Sequence, residues 1–353
     1  MAGVGQQTGA SPCDHTQVPD HVLAAPDKFR GTATARQVVD AIGRASKAAG
    51  WVCDAAPMAD GGEGLLEVVG GINRKSVVSG PLGAPVEAEW INKGDLAVIE
   101  MARASGLTLA GGAEENDPLR ASTKGTGELI AQAIKSGCTE IVVGMGGSAT
   151  TDGGLGCVNE LWPHARLREI DLTVAVDVET LFVDAAAVFG PQKGASPSEV
   201  ALLTNRLQRL AEEYQKDFGV DVTAILGGGA AGGLAGGLAA VGATVVSGFD
   251  YLADLLELDV RMEKAQLAIT GEGHLDLASL NGKVVGGVVA TAKAAGVPVV
   301  VIVGNADSEV LNDPRLAGVS VISLTERFGE KKSFSRTAEC IETAVFDLIS
   351  HIC

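Results

Sequence analysis

The chain has 353 residues, 46% hydrophobic but only 4% aromatic, and a formal net charge of −17. At this length two domains are expected, with Val, Ile, Leu and Ala filling the interior as they do in parallel sheets covered by helices. The acidic balance argues against nucleic acid and membrane surfaces as partners, because both are anionic. No apolar run is long enough to span a bilayer, and Met1 to Asp20 lack the apolar segment of a secretory leader, so those residues read as a disordered tail. Cys13, Cys53, Cys138, Cys157, Cys340 and Cys353 show no CxxC spacing. That favours reduced thiols and a cytoplasmic setting over a disulfide frame or a zinc site.

In chain order, His21 to Ala25 reads as a first strand that breaks at Pro26 into Asp27, Lys28, Phe29, Arg30 and Gly31, before a helix capped near Thr32 or Thr34. Strand-to-helix loops are where open α/β sheets bind ligands, although a solvated surface loop is the plainer alternative. Trp51 to Met58 reads as a second strand, running into Asp60-Gly61-Gly62-Glu63-Gly64 and another helix. Asp60 and Glu63 can cap that helix, or hold magnesium, or accept a proton. From Lys75 to Met101, short alternating runs separated by turn signals predict antiparallel strands, so a second domain begins near residue 73. Arg120 to Gly127 opens a helix, where Lys124 between hydroxyls resembles a phosphate hook without Walker spacing.

The most informative stretch is Glu140 to Gly156. The β-branched run Ile141 to Val143 suits a buried strand, and Gly144, Gly146 and Gly147 with Ser148, Thr150 and Thr151 then offer backbone and hydroxyl donors for an anion. A helix start is expected at Thr151 or Asp152. Leu172 to Val176 predicts a strand ending at Asp177, and Phe189 to Ser196 leads into a long polar helix; Lys193 in that turn is a phosphate candidate or an ordinary exposed lysine. Gly227 to Gly232 matches GxGxxG, but among 47 glycines that pattern carries no weight alone. Ala265 to Thr270 reads as a strand followed by a loop holding Glu272, His274 and Asp276, with Asn281-Gly282-Lys283 starting a helix. His274, with no second histidine nearby, reads as a loop residue and not a metal ligand. Val297 to Val303 and Val319 to Leu324 add two parallel strands, and Cys340, Ile341, Ala344, Val345 and Leu348 stripe the last helix.

Taken together, APDKFRG at 25–31, ADGGEG at 59–64, GPLG at 80–83, IEMARASGL at 99–107, STKGTGELI at 122–130, GMGGSATTDGGLG at 144–156, FGPQKGA at 189–195, GAAGG at 229–233 and TGEGHLD at 270–276 resemble the bacterial glycerate kinases of the first class. The resemblance covers nearly the whole chain and implies transfer of a phosphoryl group from ATP, with Mg²⁺, to D-glycerate, usually at the 2-hydroxyl. It implies an α/β fold of two domains around a cleft: an open parallel, Rossmann- or flavodoxin-like sheet from 22–72 plus 264–353, and a mixed sheet with an antiparallel meander from 73–263, after a tail at 1–21. On this reading Asp60, Asp152 and Lys28 are catalytic, with Asp60 and Asp152 also holding the metal. Asp27, Lys28, Arg30, Asp177, Glu272 and Asp276 face the substrate, and Lys124, Gly146, Gly147, Ser148, Lys193 and Lys283 face phosphates. Homodimerisation is left open. One departure stands out: between Gly156 and Asp177 the chain lacks a stretch that usually carries a glycine-rich turn, and Val178 to Asp184 replace another turn. An impaired, kinase-like binding protein, or a kinase for another small hydroxy acid, are the alternatives.

Overall fold

The structure is a computed structural model that describes residues 20–352. Residues 1–19 of the expected tail lie outside the described residues, and His21 already opens the first strand. Eleven strands form two sheets. The first contains β1 (His21–Ala24), β2 (Val52–Ala55), β9 (Leu267–Leu275), β10 (Val299–Ala306) and β11 (Ser320–Ser323), in the order β11-β10-β9-β1-β2. Every neighbouring pair in it is parallel.

The second sheet contains β3 (Arg74–Ser79), β4 (Pro85–Lys93), β5 (Leu96–Glu100), β6 (Glu140–Gly144), β7 (Asp171–Val176) and β8 (Thr244–Ser247), joined in sequence order. Its β3-β4 and β4-β5 pairs are antiparallel, and β5 to β8 are parallel. The meander expected from the alternating runs is therefore one edge of a mixed sheet. Among the described residues no helix is long and apolar enough to cross a membrane.

The inner parallel strands β1, β6, β9 and β10 are mostly buried apolar runs, as a helix-covered sheet requires, while the edge strands β2, β8 and β11 are partly exposed. On one face of the first sheet Val22, Ala24, Ile269 and Ile302 pack against Val38 and Ile42 of the first helix and Ile341 and Val345 of the last. The other face joins a cluster that spans both sheets, with Leu23, Ala268 and Val301 on one side and Ile91, Val98, Val142 and Ala175 on the other. Burying such side chains contributes roughly 1.5–3 kcal/mol each, so this shared cluster ties the two sheets together.

Local signals set several boundaries. Thr34 and Gln37 form a capping box on the helix Ala35–Ala48, as Ser196 and Glu199 do on Pro197–Phe218. Two expectations are corrected. The helix after the SATT segment starts at Leu155, not at Thr151 or Asp152, because Gly153 and Gly154 take φ of 65° and 78°, outside helical backbone. Strand β9 does not end at Thr270: Gly271, Glu272, His274 and Leu275 stay paired with Ile302, Val303, Asn305 and Ala306 of β10.

Candidate active site

The carboxyl ends of parallel strands from both sheets open into one cavity of about 1150 Å³. The loop after β1 supplies Asp27, Lys28 and Arg30, the loop after β2 supplies Asp60 and Glu63, and β9 with its following turn supplies Glu272, Asp276 and Lys283. From the second sheet come Glu100 at the end of β5, Gly146 and Gly147 after β6, and Asp177 after β7. This is the position that open α/β sheets use for ligands, here built from two sheets.

The loop 59–64 reaches the second sheet by backbone contact. Gly61 has φ +88°, and a Cβ there would lie 2.8 Å from the Gly248 Cα and 3.2 Å from the Ala175 Cβ. Only glycine allows both the conformation and the approach. The donors at the start of the helix Leu65–Val69 are met from across the cleft, where Glu100 Oε1 accepts from Gly64 N at 2.9 Å and Leu66 N at 3.2 Å. Glu100 is buried, and its other oxygen accepts from Arg103 Nε at 3.1 Å. Asp60 and Glu63 thus do not cap this helix. The sequence reading missed Glu100 among the site residues, although its place at the end of a buried strand was a usable signal.

Charge is concentrated at the junction. Lys28 Nζ donates to the Glu63 carbonyl at 2.8 Å and lies 3.9 Å from Asp27 Oδ1 and 4.0 Å from Asp60 Oδ1. Burial works against the Lys28 charge, but Asp27, Asp60 and Glu63 more than offset it and hold the ammonium above the usual lysine range. Burial lifts Asp27 to about 6, with the Asp60 charge adding and Lys28 opposing. Asp177 rises to about 6 for the same reasons, burial first and then Asp60. Glu272 is pushed to about 7 by burial and the charges of Asp27 and Asp276, against Ser279 and Lys283. Its Oε1 is buried without a hydrogen-bond partner. Asp276 is also partly desolvated, yet the Ser279 backbone N–H and hydroxyl hold it below the ordinary value. Raised carboxylates beside clustered cations in a cleft are the electrostatic signature of a functional site.

Other sequence-based candidates lie elsewhere. Lys124 is half exposed, pairing with Glu128 at 3.7 Å and Glu160 at 3.6 Å, and does not line the cavity. Lys193 is neither exposed nor in the cavity. It is 3% exposed, with Nζ donating to Ser148 Oγ and the Thr150 carbonyl, both at 2.7 Å. Ser148 is 7% exposed and sits one residue past the lining glycines. His274, by contrast, does line the cavity, half exposed and paired with Asp307 at 3.0 Å.

Asp152 also lies outside the lining. Its Oδ2 accepts from Thr123 N at 2.8 Å, Thr123 Oγ1 at 2.9 Å and Gly156 N at 3.2 Å, while Oδ1 accepts from Gly154 N at 3.1 Å. The carboxylate joins the start of the helix Lys124–Lys135 to the loop before Leu155–Glu160. An amide in its place would turn an NH₂ toward one of these donors. Asp152→Asn is therefore expected to cost about 1–3 kcal/mol of stability, read as a lower urea midpoint. An unchanged midpoint would show that an amide serves this junction equally well.

The shortened stretch leaves the site's edge in place. Residues 157–170 cross from β6 to β7 through a short helix and a 3₁₀ segment, and Asp177 lines the cavity beyond them. The replacement segment 178–184 packs on the glycine-rich turn, where Gly229 N donates to the Thr180 carbonyl.

Comparison with known proteins accords with this geometry. The glycerate kinase family model matches residues 22–162 and 163–352, its two pieces meeting inside the shortened stretch. "Glycerate 2-kinase" of Escherichia coli (strain K12) is 38% identical over 331 residues, covering 82% of this chain and 86% of that protein. "Glycerate kinase" of Bacillus subtilis (strain 168) is 36% identical over 324 residues, covering 80% and 85%. A solved structure from Salmonella typhimurium LT2, described as a glycerate kinase 2, superposes with a TM-score of 0.81 at 33% identity, covering 95% of this chain and 98% of that one. The chain belongs to the glycerate kinase family, whose members are ATP-dependent phosphotransferases.

Proposed function

We propose that the chain transfers the γ-phosphoryl group of ATP to the 2-hydroxyl of D-glycerate, giving 2-phosphoglycerate and ADP. The observation that carries this reading is the single cavity in which Lys28, Arg30 and Lys283 meet Asp27, Asp60, Asp177 and Glu272 beside Gly146 and Gly147. Phosphoryl transfer needs in-line positioning and charge neutralisation more than covalent chemistry, and these residue types supply both. The choice of the 2-hydroxyl rests on the E. coli relative's name.

In this reading Lys28 and Arg30 take the glycerate carboxylate, while Lys283 and the backbone N–H groups of Gly146 and Gly147 take phosphate oxygens. Glu272, with a buried oxygen lacking a partner, accepts the hydroxyl proton as that oxygen bonds to phosphorus and the β–γ bridging oxygen leaves with ADP. Magnesium fits as a companion of ATP. Among the described residues no group of three or more His, Cys, Asp or Glu is arranged to hold a metal unaided. Mg²⁺ commonly uses one or two carboxylates plus substrate phosphates, and Asp60 with Asp177, both lining the cavity, offers that pair. When bound, the ion neutralises charge on the phosphates. Asp152, with its oxygens turned to five backbone and hydroxyl donors, is left out of this set. The division into 22–72 plus 264–353 and 73–263 would let the cleft close over both substrates and keep water from the γ-phosphate.

The test is ³¹P NMR of ATP, Mg²⁺ and D-glycerate with the enzyme. A phosphate ester on the secondary carbon is expected, with ADP formed in equal amount. An ester on the primary carbon would overturn the regiochemistry, and no glycerate-dependent ADP would overturn the function.

A further inference from the structure

Behind the cavity wall lies a buried cation that the reading above does not use. Gly146 and Gly147 line the cavity, as do Gly106 and Leu107. The two segments are laced together: Leu107 N donates to the Gly147 carbonyl at 2.8 Å, Ala149 N to the Ser105 carbonyl at 3.0 Å, and Gly106 and Ser148 form an antiparallel bridge. On the side away from the cavity, Lys193 Nζ holds Ser148 Oγ and the Thr150 carbonyl. Asn116 completes this backing, its Nδ2 donating to the carbonyls of Ala149 at 3.0 Å and Lys193 at 2.9 Å.

A lysine in this place is costly. It is 3% exposed, and no carboxylate forms an ion pair with it among the described residues. An apolar side chain of similar length would avoid the desolvation. What the ammonium provides is specific. By donating to the Ser148 oxygen it occupies a lone pair there and turns the hydroxyl's own proton away from Nζ. Among the described residues no protein acceptor takes that proton.

We infer that Lys193 is a positioning residue for the nucleotide, fixing the Gly146–Thr150 loop from behind through the Ser148 hydroxyl so that Gly146 and Gly147 meet its phosphate oxygens. This rests on the reading that the glycine wall faces ATP. It differs from direct phosphate contact by Lys193, which its burial behind the wall prevents.

The test uses Lys193→Met, which keeps the length and removes the charge, together with Ser148→Ala. Calorimetry with ADP reads affinity without turnover, and hydrogen exchange reads the loop in the free protein. Lys193→Met is expected to weaken ADP binding and raise the KM for ATP by about 10-fold, the size of a lost charge-assisted bond. The KM for D-glycerate should stay within about twofold, and amides 147–150 should exchange about 10-fold faster. Because the action passes through Ser148, the double variant should bind ADP no more weakly than the worse single variant.

The wild-type affinity should also fall from pH 7 to pH 9, since burial holds Lys193 down near 7 against the opposing charge of Asp152; Ser148, Asn116 and Phe189, which also face it, do not titrate in that range. Lys193→Met should lack this fall. A lower thermal midpoint with unchanged exchange and ADP affinity would overturn the inference, as would additive effects of the two substitutions. If Lys193→Met does not fold, Ser148→Ala with full ADP affinity overturns it alone. Wild-type protein that binds no ADP would overturn the nucleotide reading, while the exchange measurement would still decide whether Lys193 orders the loop.

Discussion

Replacing Lys28 with Met should lower kcat/KM for D-glycerate by about 10³-fold while leaving a folded protein, because electrostatic groups aimed at reacting charge carry effects of this size. Its ammonium is the cation nearest to Asp27 and Asp60, at 3.9 and 4.0 Å, and is seated by the Glu63 carbonyl. Without it the two carboxylates face each other and any incoming phosphate uncompensated. Asp27, already lifted to about 6, would rise further and become protonated near neutrality. A lower kcat and a higher glycerate KM are expected, since in the proposed reading the same nitrogen serves substrate binding and charge balance. Steady-state kinetics with circular dichroism as a control for folding would measure this. A loss below about 10-fold would reduce Lys28 to a tie between the loops at 28 and 63.

The second expectation is that activity and stability move in opposite directions with pH. Asp27 and Asp177 at about 6 and Glu272 at about 7 have folded pKa values above their unfolded ones. Between about pH 4 and 7 the folded chain therefore binds more protons at these groups than the unfolded chain does. Their stabilising contribution is present at low pH and is lost as pH rises through 6 to 7. Lys193, held down near 7, pulls the other way, by about 1 kcal/mol over this window. Asp54 and Asp313, both held below the usual value, begin to cost stability only near and below pH 4. In EDTA and without nucleotide, the protein should be more stable at pH 5.5 than at 7.5 by about 2 kcal/mol. Turnover should instead rise from pH 5.5 to 7.5, because protonated carboxyls neither hold a cation nor accept a proton. Urea unfolding and kcat/KM at the two pH values test this pair. Equal stability at both would show that the carboxylates are better solvated than their burial implies. Magnesium with ADP should remove the stability difference by pairing the charges.

Part of this site was legible in the sequence. Asp27, Lys28, Asp60, Asp177 and Glu272 stand at or just past predicted strands, and the ends of parallel strands converge by topology. The strand signals also carried the mixed sheet, since Lys75 to Met101 alternates where the parallel strands run continuously apolar. Lys193 and Lys124 show where local reading stopped. Both sit in glycine-bearing turns before helices, yet one is enclosed by Ser148, Thr150 and Phe189 and the other lies in solvent between two glutamates. Near neighbours contribute Phe189 to one and Glu128 to the other, but the burial of Lys193 is completed by Ser148 and Thr150, more than 40 residues away, which a local reading does not reach. The reach of β9 past Thr270 was hidden for a similar reason. Gly271 and Gly273 signal a loop, but β10 pairs through them.

The nesting of the second sheet inside the first also constrains the order in which the chain can be completed. β1 sits between β2 and β9, and its closure joins residues 245 apart, as in His21 with Gln266 and Ala25 with Thr270. All strands of the second sheet lie between residues 74 and 247, so every one of them is synthesised before β9 is made. During synthesis, then, the wall carrying Gly146, Gly147 and Asp177 can be assembled while Lys28 still lacks the strand that seats its loop through the Asp27 N–H to Gly271 bond. Long-range closure of this kind is the slow, entropically taxed step of such topologies. The nascent chain can therefore assemble its glycine wall first, and its cluster of opposed charges is formed only when the last quarter of the chain returns to the first strand.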